Sequence, residues 1–267
     1  MSSPDDWLAL VRWRNALLAG AGVCAGAWWS ARQIDGRVGL AVMAAFALTA
    51  VANVTNDIAD IDIDRVAHPE RPLPSGAITP ESARLFAMAC SAVALMLTAL
   101  VAWWLAALTV VVLVIMWTYS TRLKPYGLPG NLAVAALGSL PFLYGAAAVG
   151  TAIRGVLLVA VAMPLHFARE VAKDLDDIGA DAGVRRTLPI RSGVSAARAA
   201  VATGVAAYAV AIMLLTAADA LFALMLVPTI FLAVLAVRRL YRGRAGAPAL
   251  LKAAMVLGIA ALVISAR

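Results

Sequence analysis

Nine runs of mostly apolar residues follow one another along this 267-residue chain with no polar linker between them. They lie near 9–31, 38–59, 83–103, 105–121, 130–150, 153–168, 197–217, 219–237 and 248–266. A helix that crosses a bilayer needs about 20 such residues. Only helices or closed barrels satisfy the backbone in lipid. Continuous Ala, Leu and Val without period-2 alternation selects helices. Composition agrees: 63% of residues are apolar, 14% are charged, and mean hydropathy is +0.90. A soluble domain of this size must keep a polar exterior, which these proportions do not supply. The expectation is an all-α polytopic membrane protein, with about nine transmembrane helices around a central cavity. Residues 1–267 read as a single membrane domain with a weak two-fold internal repeat. Soluble-enzyme, disordered and disulfide-scaffold readings are excluded; Cys24 and Cys90 sit in apolar runs as small hydrophobes.

Positive charge sorts the loops. With nine spans, 18 of the 22 Lys and Arg residues fall on one side and four on the other. The positive-inside rule makes the rich side cytoplasmic. The net charge of +7 is thereby read as a topology signal beside anionic lipid, and no nucleic-acid partner is expected. Trp28, Trp29, Trp103 and Trp104 fall at the outer ends of spans, and Trp7 and Trp13 at the inner entry, as interfacial belts require. Asp5 and Asp6 precede the first run and no small-residue cleavage site follows it, so the start reads as a first span and not as a cleaved signal.

Negative charge is concentrated. Eleven of the fifteen acids occupy 57–81 and 170–181, each at the positive-rich end of a span. On a helix, Asn56, Asp60 and Asp64 share one face, Asp57 joins them, and Asp62 falls off it. Glu170, Asp174, Asp177 and Asp181 fall within a stripe of about 60°, with Asp176 on the far side. Such columns repel themselves unless a cation intervenes. The reading is a pair of divalent-cation sites, since Mg²⁺ is held by one or two carboxylates plus substrate phosphates. Each column is followed by a similar segment, Arg71-Pro72-Leu73-Pro74 and Arg186-Thr187-Leu188-Pro189.

The run from Asn56 to Arg65, followed by His68-Pro69-Glu70-Arg71-Pro72-Leu73-Pro74-Ser75-Gly76, resembles the first aspartate-rich motif of the UbiA-type intramembrane prenyltransferases (56–76). Arg169 to Asp177 with Asp181 and Arg186-Thr187-Leu188-Pro189 resembles the second (169–193). Tyr119-Ser120-Thr121-Arg122-Leu123-Lys124 resembles the Tyr/Lys signature between them. The resemblance implies a nine-helix bundle with a cavity open toward lipid. It also implies Mg²⁺-dependent transfer of a prenyl group from an isoprenyl diphosphate to a lipophilic acceptor, with two ions at the site.

On that basis Asn56, Asp57, Asp60 and Asp64 are expected to hold one ion, and Asp174, Asp177 and Asp181 the other. Lys124, Arg71 and Lys173 are diphosphate candidates, and Tyr119 is expected to face a developing carbocation. Arg14, Asn15, Arg122 and Arg186 complete the substrate-binding candidates. The Arg-Glu-x-x-x-Lys-Asp run and the His-Pro loop are most similar to the branch with a geranylgeranylglycerol phosphate-type acceptor, whose phosphate would meet Arg185, Arg186, Arg191 and Lys173. An aromatic acceptor such as a 4-hydroxybenzoate-type acid is the second reading. Outside prenyl transfer, a cation transporter would use the acids as an ion path, and a phospholipid-type phosphotransferase would need a D-G-x-x-A-R motif that the chain lacks.

Overall fold

The computed structural model describes residues 3–181, 186–216 and 219–265. Among these residues every regular element is a helix. A short amphipathic helix α1 (Pro4–Val11) leads into α2 (Trp13–Ala31), so the first apolar run is two helices and not one. Arg12 separates them with a left-handed backbone, φ 51°. Next come α3 (Gly36–Ala59), the short α4 (Ile61–Ala67), α5 (Pro80–Val101) and α6 (Trp103–Thr118). A π turn over Tyr119–Leu123 and a 3₁₀ turn over Lys124–Tyr126 connect α6 to α7 (Leu128–Ala148). The second half holds α8 (Ala152–Asp176), the short α9 (Ile178–Asp181), α10 (Leu188–Leu215), α11 (Ala220–Tyr241) and α12 (Ala247–Ser265).

Among the described residues, eight helices are long and apolar enough to cross a membrane. The ninth long helix, α2, carries Arg14 and Asn15 in its first turn and also contains Gly20, Gly22, Gly26, Trp28 and Trp29, which lower its hydropathy. Large apolar side chains cover the outside: Leu85, Leu214 and Phe231 are each more than 60% exposed. In water that surface would be a severe liability; in lipid it is solvated. The chain is an integral multi-pass membrane protein.

Capping residues set several helix starts. Thr79 caps α5 through the Ser82 amide, with Pro80 in the first turn, as the Thr-Pro-Glu sequence dictates. Asp35 caps α3 through the Val38 amide, and that bond holds its carboxyl below the usual range. α10 begins at Leu188, earlier than the apolar run near 197 suggests, and kinks at Gly193, where φ is 87°. Likewise α8 runs on past the apolar stretch ending near 168, carrying Glu170 and Asp174 on its last turns.

Packing divides the bundle. One buried cluster draws on α2, α3, α5, α6 and α7 around Val23, Leu105 and Tyr144. A second draws mainly on α8, α10, α11 and α12 around Leu165, Val201 and Leu251. The two meet where α7 packs on α8 and α2 on α12. At the α2–α7 seam the backbones nearly touch. A Cβ on Gly145 would lie 1.8 Å from the Val23 carbonyl oxygen, and one on Gly26 would lie 2.3 Å from that of Phe142. Small residues are the usual means of such close approach in lipid. Polar pairs tie helices together inside the clusters, with Thr109 and Tyr144 hydroxyls 2.8 Å apart and Tyr208 donating to Thr229 at 3.1 Å.

A third, small cluster of Leu10, Val54, Leu73 and Ile78 caps the acidic end of α3. Trp7 belongs to it, packed on Phe86 with ring centroids 5.0 Å apart. Trp7 is therefore a packing residue of this cap, unlike Trp103, which is 81% exposed at its helix end.

Candidate active site

Both acidic motifs are built the same way. α3 stops at Ala59, Asp60 takes φ −96° and ψ 3°, and α4 resumes at Ile61. α8 stops at Asp176, Asp177 takes φ −94° and ψ 6°, and α9 resumes at Ile178. Each break keeps its hydrogen bond four residues back, Asp60 to the Asn56 carbonyl and Asp177 to that of Lys173. The repeat thus pairs Asn56 with Lys173, Asp57 with Asp174, Asp60 with Asp177 and Asp64 with Asp181. The acids were expected on continuous helices. The interruption has an electrical cause: a helix C-terminus is the negative end of its dipole, and carboxylates gathered there disfavour an unbroken turn. The first column nevertheless keeps its face. Asp57, Asp60 and Asp64 are buried, while Asp62 points out and pairs with Arg65.

Every buried acid of the first motif meets a cation. Arg12 donates to Asp57 at 2.5 Å and Arg71 to Asp64 at 2.6 Å. Lys124 donates to Asp60 and, at 2.5 Å, to the Asn56 Oδ1. In the second motif, Asn131 Nδ2 donates to Asp174 at 2.9 Å. Glu170 is buried between Arg169 at 2.6 Å and Lys173 at 3.0 Å, so it is neutralised within its own helix. Asp176 faces away and accepts from the Gly246 amide at 3.4 Å. Asp177 is exposed at the break, and the side chain of Asp181 lies outside the described residues.

The connection between α6 and α7 joins the motifs. Lys124 reaches the first, and Asn131, seven residues on, reaches the second. Gly127 between them has φ 65°, and a Cβ there would lie 2.8 Å from the Leu188 amide nitrogen. Only glycine lets this loop press on the segment after the second motif. The π turn that carries Tyr119 and Arg122 is an uncommon element, and such turns concentrate at functional sites.

Beside the motifs opens a cavity of about 510 Å³. Most of its wall is apolar, from residues such as Leu18, Val134, Leu137, Leu158 and Met255. Its polar residues include Arg12, Asn15, Asn56, Tyr119, His166, Arg169, Glu170, Lys173 and Lys252. Asp57, Asp60, Asp174 and Asp177 lie within about a helical turn of Asn56 or Lys173 along the chain, and Asp64 and Asp181 about two turns on.

The expected substrate contacts divide. Asn15, Asn56, Tyr119 and Lys173 line the cavity. Arg71 and Lys124 hold first-motif acids. Arg14 does not line the cavity; it is exposed, with its guanidinium 5.5 Å from the Trp13 ring, and Arg12 takes the inward place because the chain turns at that residue. Arg122, Arg186 and Arg191 are exposed, and Arg185 lies outside the described residues. Sequence reasoning missed Arg12, Asn131 and Lys252. Their partners Asp57, Asp174 and Asn15 lie 45, 43 and 237 residues away, so no local spacing announces them.

The donors suit magnesium in kind. The column offers carboxylate and amide oxygens, the hard ligands that Mg²⁺ prefers. Among the described residues no three Asp, Glu, His or Cys side chains form a ready metal cage. An ion here would complete its shell with substrate phosphate and water, which is its common mode.

Comparison with known proteins bears on this geometry. The profile of the "UbiA prenyltransferase family" matches residues 17–264. A digeranylgeranylglyceryl phosphate synthase of Halobacterium salinarum is 34% identical, with 99% of this chain and 98% of that protein covered. The enzyme of the same name from Methanopyrus kandleri is 36% identical over 70% of this chain and 69% of its own length. Among solved structures, a digeranylgeranylglyceryl phosphate synthase superposes with a TM-score of 0.81 at 26% identity, covering 98% of both chains. A UbiA homologue from Archaeoglobus fulgidus, solved with GPP and Mg²⁺, superposes with a TM-score of 0.77 at 17% identity, covering 98% of this chain and 99% of its own.

Proposed function

This chain belongs to the UbiA prenyltransferase family, and from that premise we propose that it transfers a prenyl group from an isoprenyl diphosphate to the hydroxyl of a geranylgeranylglycerol phosphate-type acceptor, releasing diphosphate. The observation that supports the reading is that Lys124 holds Asn56 and Asp60 while Asn131, seven residues on, holds Asp174, and that Asn56 of the first motif and Lys173 of the second line one apolar cavity. The similarity to enzymes named for a glycerophosphate-type product favours that acceptor over an aromatic one.

The roles follow from charge and position. Asn56, Asp57, Asp60 and Asp64 would hold one Mg²⁺, and Asp174, Asp177 and Asp181 a second. Bound there, the ions would neutralise the charge that builds on the departing diphosphate. Lys124, Arg71 and Lys173 lie among these acids with charge to offer the phosphate oxygens. The apolar wall takes the prenyl tail and keeps water from its reactive end. Tyr119 presents an aromatic ring to the cavity, where a ring face stabilises an allylic cation.

In the transfer, the C1–O bond to diphosphate breaks and its electron pair leaves with the diphosphate. An acceptor hydroxyl oxygen forms the new C1–O bond, and its proton passes to water at the polar end. The whole of residues 1–267 acts as one unit, with the acidic end facing the cytoplasm, where most of the positive charge lies.

The test supplies labelled geranylgeranyl diphosphate to the protein in nanodiscs, with a prenylglycerol phosphate or 4-hydroxybenzoate and with Mg²⁺ or excess chelator. The reading expects prenyl ether formation with the glycerol phosphate only, abolished by the chelator. Product from the aromatic acid alone, or equal product in chelator, would overturn it.

A further inference from the structure

The cavity's polar residues include cations that the diphosphate chemistry leaves unused. Lys252 sits in the second turn of α12 and lines the cavity. Its hydrogen bond among the described residues is a long one, 3.4 Å to the Asn15 Oδ1. Arg169 and Arg14 are the charged groups that act on it. Arg169 lines the same cavity and is bound to Glu170 through one terminal nitrogen, while its buried Nε has no partner. The first turn of α2 carries Asn15, and no side chain caps that helix start.

Three features therefore coincide. Cations face one another across helices distant in sequence, a buried donor is unpaired, and α2 begins beside Asn15 with its positive end uncapped by any side chain. Like charges and unpaired buried donors both cost free energy, so this corner is built to receive negative charge. It differs from the diphosphate site in having hardly any acid: Glu170 is already held by Arg169 and Lys173. A metal-bridged anion needs carboxylates, whereas an anion bound directly needs only donors.

We propose that Lys252, Arg169 and Asn15 form the subsite that binds the phosphomonoester of the acceptor directly, without a metal ion. The inference rests on the glycerophosphate reading above and names the residues that give it specificity. The carboxylate of an aromatic acid carries half the charge of a phosphomonoester dianion and fewer acceptor oxygens, so the corner favours the phosphate. The acceptor's chain then lies along the apolar wall, and its hydroxyl is directed toward Tyr119 and Asn56 elsewhere in the same cavity.

The test compares wild type, Lys252→Gln and Lys252→Arg in phosphatidylcholine nanodiscs. KM for a prenylglycerol phosphate should rise about tenfold to a hundredfold in Lys252→Gln, the size of one charge-assisted hydrogen bond. Lys252→Arg should restore most of it, and KM for the prenyl diphosphate should not move. Inorganic phosphate should compete with the acceptor in wild type and less well in the Gln variant. An unchanged acceptor KM, or a rise confined to the diphosphate, overturns the proposal. So does phosphatidate doped into the nanodisc inhibiting wild type but not Lys252→Gln while the two have the same acceptor KM in its absence, which would make the corner a headgroup site.

Should wild type transfer nothing to the prenylglycerol phosphate, the parent reading fails, and equilibrium binding of that compound decides the subsite. Binding lost in Lys252→Gln sustains it, and equal binding overturns it.

Discussion

Asp57 is buried, and its carboxylate accepts a hydrogen bond from Arg12 at 2.5 Å. Removing one member of a buried ion pair strands the other, at about 3–5 kcal/mol when both are fully buried. The Arg12 side chain is 36% exposed, so solvent screens the pair and about 1–2 kcal/mol is the reasonable expectation. Arg12→Ala should therefore lower thermal stability in detergent measurably, and the double variant Arg12→Ala/Asp57→Asn should recover most of the loss. Additive losses would mean that the pair does not couple. Asp57 also shows what residue patterns can and cannot reveal. Its place on a polar helix face follows from the i, i+3 and i+7 spacing with Asp60 and Asp64. Its partner does not, because the left-handed turn at Arg12 rotates that residue inward and sends Arg14 outward.

Among the elements, the α2–α7 seam is the tightest contact and the least tolerant. A methyl group on Gly145 or Gly26 would collide with backbone, which cannot swing aside as a side chain can. Gly145→Ala should cost about 1–3 kcal/mol through overpacking, read as a lower unfolding temperature and a loss of monodisperse protein. Gly36→Ala, where a Cβ meets nothing within 4 Å, should be neutral. Equal stability of the two variants would contradict the seam. The nine long helices among the described residues were legible because hydrophobic length in lipid leaves few alternatives. Their ends were less so. α8 continues through Glu170 and Asp174 because Arg169 and Lys173 satisfy the first and the Asn131 amide the second, so hydropathy stops marking the helix before the helix stops. The breaks at Asp60 and Asp177 were also illegible, since no Gly or Pro announces them.

At the scale of the whole molecule, the two halves contribute matched helix ends, and the α6–α7 connection fastens them to one another. That each motif carries a column of acids was readable from the repeated spacing and from the scarcity of acids elsewhere. What holds each column was not, because Lys124 and Asn131 act through contacts 68 and 43 residues away in the chain. The central claim is that both columns serve one diphosphate. It is tested most directly by Mg²⁺-dependent turnover of Asp60→Asn and Asp177→Asn, each beside a measurement of its unfolding temperature. The account predicts that either change alone lowers kcat/KM at least about a hundredfold, as loss of a charge-stabilising group does, with the fold retained. Wild-type turnover in either variant, with Mg²⁺ dependence intact, would contradict it.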